Sequence, residues 1–254
     1  MKIKKGFFYF ISDIYFDRVK DKELLKNKEN GNKRPAYYCF NDNKEKRLIW
    51  FIPISSKVEK YKNIYNHKIE VQKNKGYKNP KVDTIVFGKV ANQEKAFLIQ
   101  NMFPVIDKYI VNQYKRKNKE INISNDIKQE INTKANKILN LVYSGHKNLV
   151  FPDITHISEI MKDEILKQLE IEDIFNNKKL TFIDEFKNII DNAINKEDIF
   201  LYLQYIKDSN TLSEYNNILN SSDDITKIKT DIILKTDKLF STEESSEEEN
   251  EDEI

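Results

Sequence analysis

The sequence predicts an α+β fold: a compact, twisted, mostly antiparallel sheet with segregated helices, followed by an all-helical C-terminal extension and a disordered acidic tail. Three observations predict it. All five glycines and all five prolines of the 254 residues lie at or before Pro152, so the rest of the chain has no backbone breakers. Before that point, short runs rich in aromatic and β-branched residues are separated by polar or Gly/Pro-bearing segments, as strands are. After it, apolar residues recur every three or four positions, as helices require. These shifts fall near 152, and the acidic tail occupies 241–254.

Taken in order, the predicted strands are residues 7–11, 36–40, 47–54, 84–90, 95–100 and 108–114. The opening MKIKKGFFYFIS imitates a secretion signal, but Asp13 ends its apolar run and no small-residue cleavage site follows, so it reads as the first strand. One helix is predicted after Ser56, where Ser56 and Glu59 have capping-box spacing and Val58, Tyr61, Ile64 and Tyr65 form a stripe. A second is predicted over 124–143, striped by Ile127, Ile131, Ile138, Leu139 and Val142 and stopped by Gly145. Further helices are predicted over 155–170, 182–194, 197–208, 211–220 and 225–236; Ile157, Ile160, Met161, Ile165 and Leu169 stripe the first of them. The tail STEESSEEENEDEI holds eight acids and no base, a composition that does not form a packed core.

The net charge of +2 hides a division. Residues 1–150 carry 32 Lys and Arg against 15 Asp and Glu, a balance of +17, and residues 151–254 carry 11 against 26, a balance of −15. A field of +17 is the footprint of a polyanion partner, most often nucleic acid. AT-rich coding bias inflates lysine, but it does not explain why the excess stops near 150. The longest apolar run, 48–54, has seven residues, against the roughly 18 that a membrane span needs. The single Cys39 permits neither an internal disulfide nor a Cys-rich zinc site and suits a reducing compartment, with the cytoplasm as default. There is no Gly-rich phosphate loop, G-x-G-x-x-G, H-E-x-x-H or G-x-S-x-G, and His67, His146 and His156 do not have the spacing of a metal cage. NTPase, dinucleotide-dependent and metallohydrolase classes are set aside, and no cofactor is predicted.

One stretch carries chemistry. Lys33-Arg34-Pro35-Ala36-Tyr37-Tyr38 opens a strand, and Trp50-Phe51-Ile52-Pro53-Ile54-Ser55-Ser56-Lys57 ends one and starts a helix. Backbone N–H groups at a helix start and the helix dipole attract an anion over Ser55 and Ser56, with Lys57 and Lys60 beside it. The alternative is that Ser56 only caps the helix and the lysines are solvated. Two basic segments extend this picture: Lys73, Lys75, Lys78 and Lys81 interleaved with Tyr77, and the cluster Lys115, Arg116, Lys117 and Lys119. Both offer cations to phosphates, and Tyr77 offers a ring to a base. Either segment is otherwise plain solvated surface.

The pairing of K-R-P-x-Y-Y with W-x-I-P-[IL]-S-S-K-x-x-K-Y resembles the ToxN/AbiQ family of type III toxin-antitoxin endoribonucleases, and within it the CptN-like branch. KAFLIQNMFP, at 95–104, is similar to a paired-strand region of that branch. The resemblance covers roughly 6–168, so it implies a core at 1–168 and leaves out the helical extension at 169–240 and the tail at 241–254. It implies a MazF/PemK-like toxin core that cuts RNA without metal, processes its own antitoxin precursor, and is inhibited by a small structured repeat RNA in a protein–RNA hetero-oligomer. It also implies cellular or phage RNA as substrate and a role in phage defence. By position, the family's basic active-site residue falls on Lys33 or Arg34, its hydroxyl pair on Ser55 and Ser56, and its following lysine on Lys57 or Lys60. Two departures stand out: residues 29–32 hold no counterpart of the family's upstream tyrosine, and Val58 stands two places beyond the second hydroxyl.

In such a reaction the RNA supplies the nucleophile, its 2′-OH, and the protein orients it, stabilises charge and assists proton transfer. Arg34 and Lys57 are assigned to phosphate stabilisation, with Lys33 able to replace Arg34, and Ser55 and Ser56 to positioning. Lys60, Tyr61 and His67 rank second. Tyr37 and Tyr61 are candidates for RNA contact or for core packing, and strand alternation predicts that only one of Tyr37 and Tyr38 points inward. Two other readings remain: a non-catalytic RNA-binding or defence scaffold, and a MazF-like ribonuclease with a protein antitoxin. The tail either covers the cationic groove at low salt or keeps the protein soluble.

Overall fold

The computed structural model describes residues 3–25, 27–29, 32–177 and 183–248. Gly31, residue 182 at a predicted helix start, and 249–254 of the predicted tail lie outside the described residues. The chain divides into two units, Met1–Lys162 and Asp163–Ile254.

In the first unit, β1 (Phe8–Ile11) leads into α1 (Asp13–Val19) and the small hairpin β2 (Lys28–Glu29) and β3 (Asn32–Lys33). Then come β4 (Ala36–Asn41), β5 (Ile49–Ser55), α2 (Val58–Asn74), and the hairpin β6 (Ile85–Val90) and β7 (Gln93–Leu98). After β8 (Phe103–Val105) and β9 (Ile110–Gln113), a second small hairpin, β10 (Lys115–Arg116) and β11 (Lys119–Glu120), precedes α3 (Asn125–Tyr143). The main sheet runs β6-β7-β5-β4-β1-β9, with β8 also paired to β5, and its ladders are antiparallel. All six predicted strands and both predicted helices of this region are present. α1 was not predicted. It has seven residues, too few for a periodic signal, and starts where Ser12 Oγ accepts from Ile14 N at 3.2 Å.

Both faces of the sheet are packed. On one, Phe8, Tyr37, Trp50, Ile52 and Phe97 meet Ile131, Ala135 and Ile138 of α3. Gly88 makes this approach possible, because a Cβ there would lie 2.9 Å from Ile127 Cγ2 of α3. On the other, the rings of Tyr9, Tyr38, Phe51, Phe103 and Tyr15 contact one another at centroid distances of 5.6 to 6.4 Å. α2 lies over β6 and β7, where Tyr61, Ile64, Tyr65 and Ile69 pack on Val82, Ile85, Ala96 and Leu98. With two covered faces, Tyr37 and Tyr38 are both buried, at 1% and 6% exposure. The expectation that only one points inward is therefore corrected: alternation sends them to different faces, and both faces are interior.

In the second unit, α4 (Ile154–Asn177), whose first turns belong to the first unit, is followed by α5 (Ile183–Asp191), α6 (Lys196–Leu203), α7 (Ser209–Ser221) and α8 (Ile225–Glu248). Their stripes build a core that includes Ile171, Ile174, Phe186, Tyr202, Tyr215 and Ile232. Asn195 and Asp208 cap α6 and α7 by accepting from Asp198 N at 2.9 Å and Thr211 N at 2.7 Å. The five helices fall where predicted but differ in extent: α4 runs to Asn177, past 170, and α5 stops at Asp191, short of 194. α6 stops at Leu203, short of 208, and α8 continues to Glu248, through 241–248 of the segment predicted as disordered. Adding glutamates to an existing helix needs no new nucleus, and glutamate is a good helix former. Among the described residues, no helix is long and apolar enough to cross a membrane.

Asp42 ties the turn after β4 to both neighbours. It is 4% exposed; Oδ2 accepts from Trp50 Nε1 at 3.0 Å and from the Tyr143 hydroxyl at 3.1 Å, and Oδ1 from Lys44 N at 2.8 Å and Glu45 N at 3.2 Å. Burial raises its pKa, but the donors together, the Trp50 indole first, outweigh burial and hold it below the ordinary value. Asp42→Ala leaves Trp50 and Tyr143 without their acceptor and is expected to cost about 3 kcal/mol at neutral pH, read by urea unfolding. A depressed carboxylate contributes stability above its unfolded pKa of about 3.9. The gap between wild type and variant therefore narrows as pH falls below about 4; a gap constant down to low pH would contradict the assignment.

Candidate functional site

The site forms where β5 ends. Ser55 closes the ladder opposite Ala96 and is 3% exposed, and its Oγ accepts from Lys57 N at 3.1 Å. Its oxygen is thereby engaged in the turn, and its burial keeps the hydroxyl behind it. α2 begins with Lys57 as its N-cap residue and no side-chain cap bond. The expected capping box is corrected on this point: the helix starts one residue later than Ser56 and Glu59 would need, and Glu59 Oε1 instead accepts from Lys62 Nζ at 3.4 Å. Ser56 is exposed, and its Oγ accepts from Lys95 Nζ of β7 at 2.8 Å. A hydroxyl that accepts from an ammonium keeps its own proton for an outside acceptor.

A cleft of about 460 Å³ opens over this turn. Five of the residues that line it are cationic, Lys33, Arg34, Lys57, Lys95 and Arg116, and none is a carboxylate. Ser56, Tyr114 and Gln93 add neutral polar groups. Each cation arrives on its own piece of scaffold. β3 carries Lys33, and the Arg34 backbone is held by its N–H on Asn27 O at 2.7 Å. Arg116 Nη1 donates to Ala91 O at 2.9 Å, bracing the β6–β7 turn in which Ala91 and Asn92 both have positive φ, 50° and 65°. Tyr114 donates its backbone N–H to Phe8 O at 2.8 Å, and its ring stands edge-on to Phe10 at 5.5 Å. The unsatisfied N–H groups of the first turn of α2 add to the positive field. A second crevice, which includes Lys89, Lys117 and Lys119, shares Ala91, Gln93 and Arg116 with the cleft, so the basic surface continues past it.

Of the predicted site residues, the structure brings Lys33, Arg34, Ser56, Lys57 and Arg116 together around the cleft, and puts Lys117 in the adjoining crevice. Ser55 stands behind the turn. Lys60 is exposed outside the cleft lining, with its ammonium 5.8 Å from the Tyr61 ring centroid. Tyr61 packs against β6 and β7, and Tyr37 is enclosed by Phe8 and Phe97, so neither ring is free to stack on a base. His67 lies about 15 Å farther along α2 at 1.5 Å per residue. Lys73, Lys75, Tyr77, Lys78 and Lys81 gather beyond that, at the far end of the helix, and Lys115 is exposed opposite Glu120 in the β10–β11 hairpin. Sequence reasoning missed Lys95, Tyr114 and Gln93. The register Ser55 opposite Ala96 makes Lys95 a neighbour of Ser56, and no local pattern carries that pairing. Among the described residues, no group of three or more His, Cys, Asp and Glu side chains is placed to hold a metal ion.

No family model matches the chain, and no curated protein matches it in sequence. Solved structures to which the chain is similar include the lactococcal anti-phage endoribonuclease AbiQ of the type-III toxin-antitoxin system. That match has 15% identity and a TM-score of 0.46 and covers 63% of this chain and 97% of AbiQ. Another is a protein of a bacterial antiviral system regulated by a processed non-coding RNA, at 14% identity, with a TM-score of 0.44, covering 63% of this chain and 98% of that one.

The two adjacent serines are expected to separate on substitution. Ser55→Ala removes the bond that closes the turn and costs about 1 kcal/mol of stability in urea unfolding. Ser56→Ala, on an exposed hydroxyl, changes it by less than about 0.5 kcal/mol. Equal losses would contradict the assignment of the turn to Ser55.

Proposed function

We propose that this chain is the toxin of a type III toxin-antitoxin system: a metal-independent, sequence-specific endoribonuclease that processes, and is inhibited by, a repeat-derived structured RNA and acts in phage defence. The observation that carries the ribonuclease reading is the cleft itself, with five cations, no carboxylate and an exposed serine hydroxyl held by a lysine. That composition suits a phosphodiester. The type III assignment is supported by the motifs at 33–38 and 50–61, and the paired RNA by the basic crevice that continues from the cleft.

In the proposed reaction the 2′-oxygen of the substrate attacks the adjacent phosphorus as the bond to the 5′-oxygen breaks, giving a 2′,3′-cyclic phosphate and a 5′-hydroxyl. Arg34 and Lys57 compensate the charge that builds on the non-bridging oxygens, where preorganised donors count most. Ser56 donates its hydroxyl proton to one of those oxygens, and Lys95 fixes the direction of that hydroxyl. Lys33 and Arg116 hold the flanking phosphates and fix the register of the strand. One proton leaves the 2′-hydroxyl and one reaches the 5′-oxygen. The 2′-hydroxyl proton passes to water, and the Lys95 ammonium or the Tyr114 phenol, each of which holds a proton, supplies one to the departing 5′-oxygen and is reprotonated from solvent.

Ser56→Ala, Lys57→Ala, Lys95→Ala and Arg34→Ala are each expected to lower RNA cleavage about 100-fold or more with unchanged circular dichroism. Cleavage is expected to persist in EDTA and to leave 2′,3′-cyclic phosphate ends, read by end-mapping of RNA from cells expressing the protein with and without its antitoxin RNA. RNA binding with no cleavage by wild type would favour the scaffold reading, and activity lost on chelation and restored by a divalent ion would sink the metal-free mechanism.

A further inference from the structure

The far half of α2 borders a second pocket, of about 430 Å³, separate from the Ser56 cleft in its lining. Lys68 belongs to its wall. Its Nζ donates to Gln100 Oε1 at 2.8 Å and to Thr84 Oγ1 at 2.9 Å, and both acceptors also line the pocket. Both are neutral, and among the described residues no carboxylate pairs with Lys68. The one acid in the lining, Asp83, is engaged by Lys137. An ammonium offers three N–H groups, so Lys68 keeps one donor and an uncompensated charge. Burial lowers its pKa, as expected of a cation held without an anionic neighbour.

Part of the wall is apolar. Val71, Ile138, Leu141 and Leu149 contribute to it, and Phe151 completes it with a ring that is 55% exposed although its backbone is fixed by an N–H bond to Gln100 O at 2.8 Å. A large exposed ring on a fixed backbone thus lines the same pocket as a half-buried cation. Lys81 stands in the lining as well, and Lys73, Lys75 and Lys78 are exposed on the same end of α2.

We propose that this pocket binds a single nucleotide. The base lies against Phe151 and the apolar wall, a base carbonyl oxygen accepts from Lys68, and the phosphate stays outside with Lys81. The volume suits a ligand of this size. An aromatic face and a lysine rim are the two elements by which proteins hold an unstacked nucleotide without reading a long sequence. A fatty-acid carboxylate also suits a half-buried lysine, but it gives no account of the lysines outside the mouth. The nucleotide is either free or an unstacked residue of an RNA strand. Binding here requires no reaction at the Ser56 cleft.

The test is equilibrium binding to the full chain, with Lys68→Met and Phe151→Ala beside wild type and thermal unfolding as the control for folding. The probes are uridine and guanosine 5′-monophosphates, a short single strand with 2′-O-methyl riboses, which cannot be cut by 2′-oxygen attack, and the same strand in a duplex. Both variants are expected to lose about tenfold in affinity for the single strand and little for the duplex. An equal loss for the free monophosphates identifies a free nucleotide as the ligand, and a loss confined to the single strand identifies an RNA nucleotide. Because the Phe151 ring is largely exposed, Phe151→Ala keeps the test valid even where Lys68→Met unfolds. Wild-type affinity of folded variants for every probe, an equal loss on duplex, or displacement by dodecanoate alone would overturn the proposal. None of these readings involves cleavage, so failure of the ribonuclease assignment and failure of this one are told apart.

Discussion

The structure hangs on the burial of β5. All seven of its residues are buried, and it pairs with β4, β7 and β8 while presenting Trp50, Ile52 and Ile54 to one packed face and Phe51 to the other. A strand so enclosed cannot slip by one residue without driving every side chain to the wrong face. Its end is therefore fixed in space, and the Ser55 hydroxyl turns the chain there by accepting from Lys57 N. Ser56 is left outside the turn and the ladder, and its position opposite Lys95 follows from the same register that sets Ser55 against Ala96.

That geometry explains how five like charges coexist. Each is brought by a different element, β3, the segment after it, the start of α2, β7 and β10, and each element is anchored in the sheet or a hairpin rather than in the cleft. Folding energy from the aromatic core, at roughly 2 kcal/mol for each large side chain buried, opposes their mutual repulsion.

Much of this was legible in the sequence, for a physical reason. Strand and helix periodicity, the concentration of glycine and proline before 152 and the charge division are all local, and they located six strands of the main sheet and the α-helices of both units other than α1. So was the juxtaposition of Arg34 with Lys57, through the resemblance of 33–38 and 50–61 to a known family. What failed was long-range. Lys95 is 39 residues from the serine it holds, and only the pairing of β5 with β7 brings them together. Tyr37 looked available as a ring because alternation assumes one wet face, and this sheet has none there. Glu59 has the spacing of a capping partner, yet Ser55, which strand burial alone identifies, closes the turn first. No local pattern places the lysines of 72–81 relative to Lys57, and the length of α2 sets the two apart.

The central claim is that Ser56 and Lys95 act as one device, a hydroxyl aimed at a phosphate by an ammonium. A double-mutant cycle on RNA cleavage tests it most directly, comparing Ser56→Ala, Lys95→Ala and the pair under single-turnover conditions. Residues that work as a unit are strongly non-additive, so the double variant is predicted to cut RNA at nearly the rate of the slower single variant. Losses that multiply across the pair would show two independent contributions and would contradict the account.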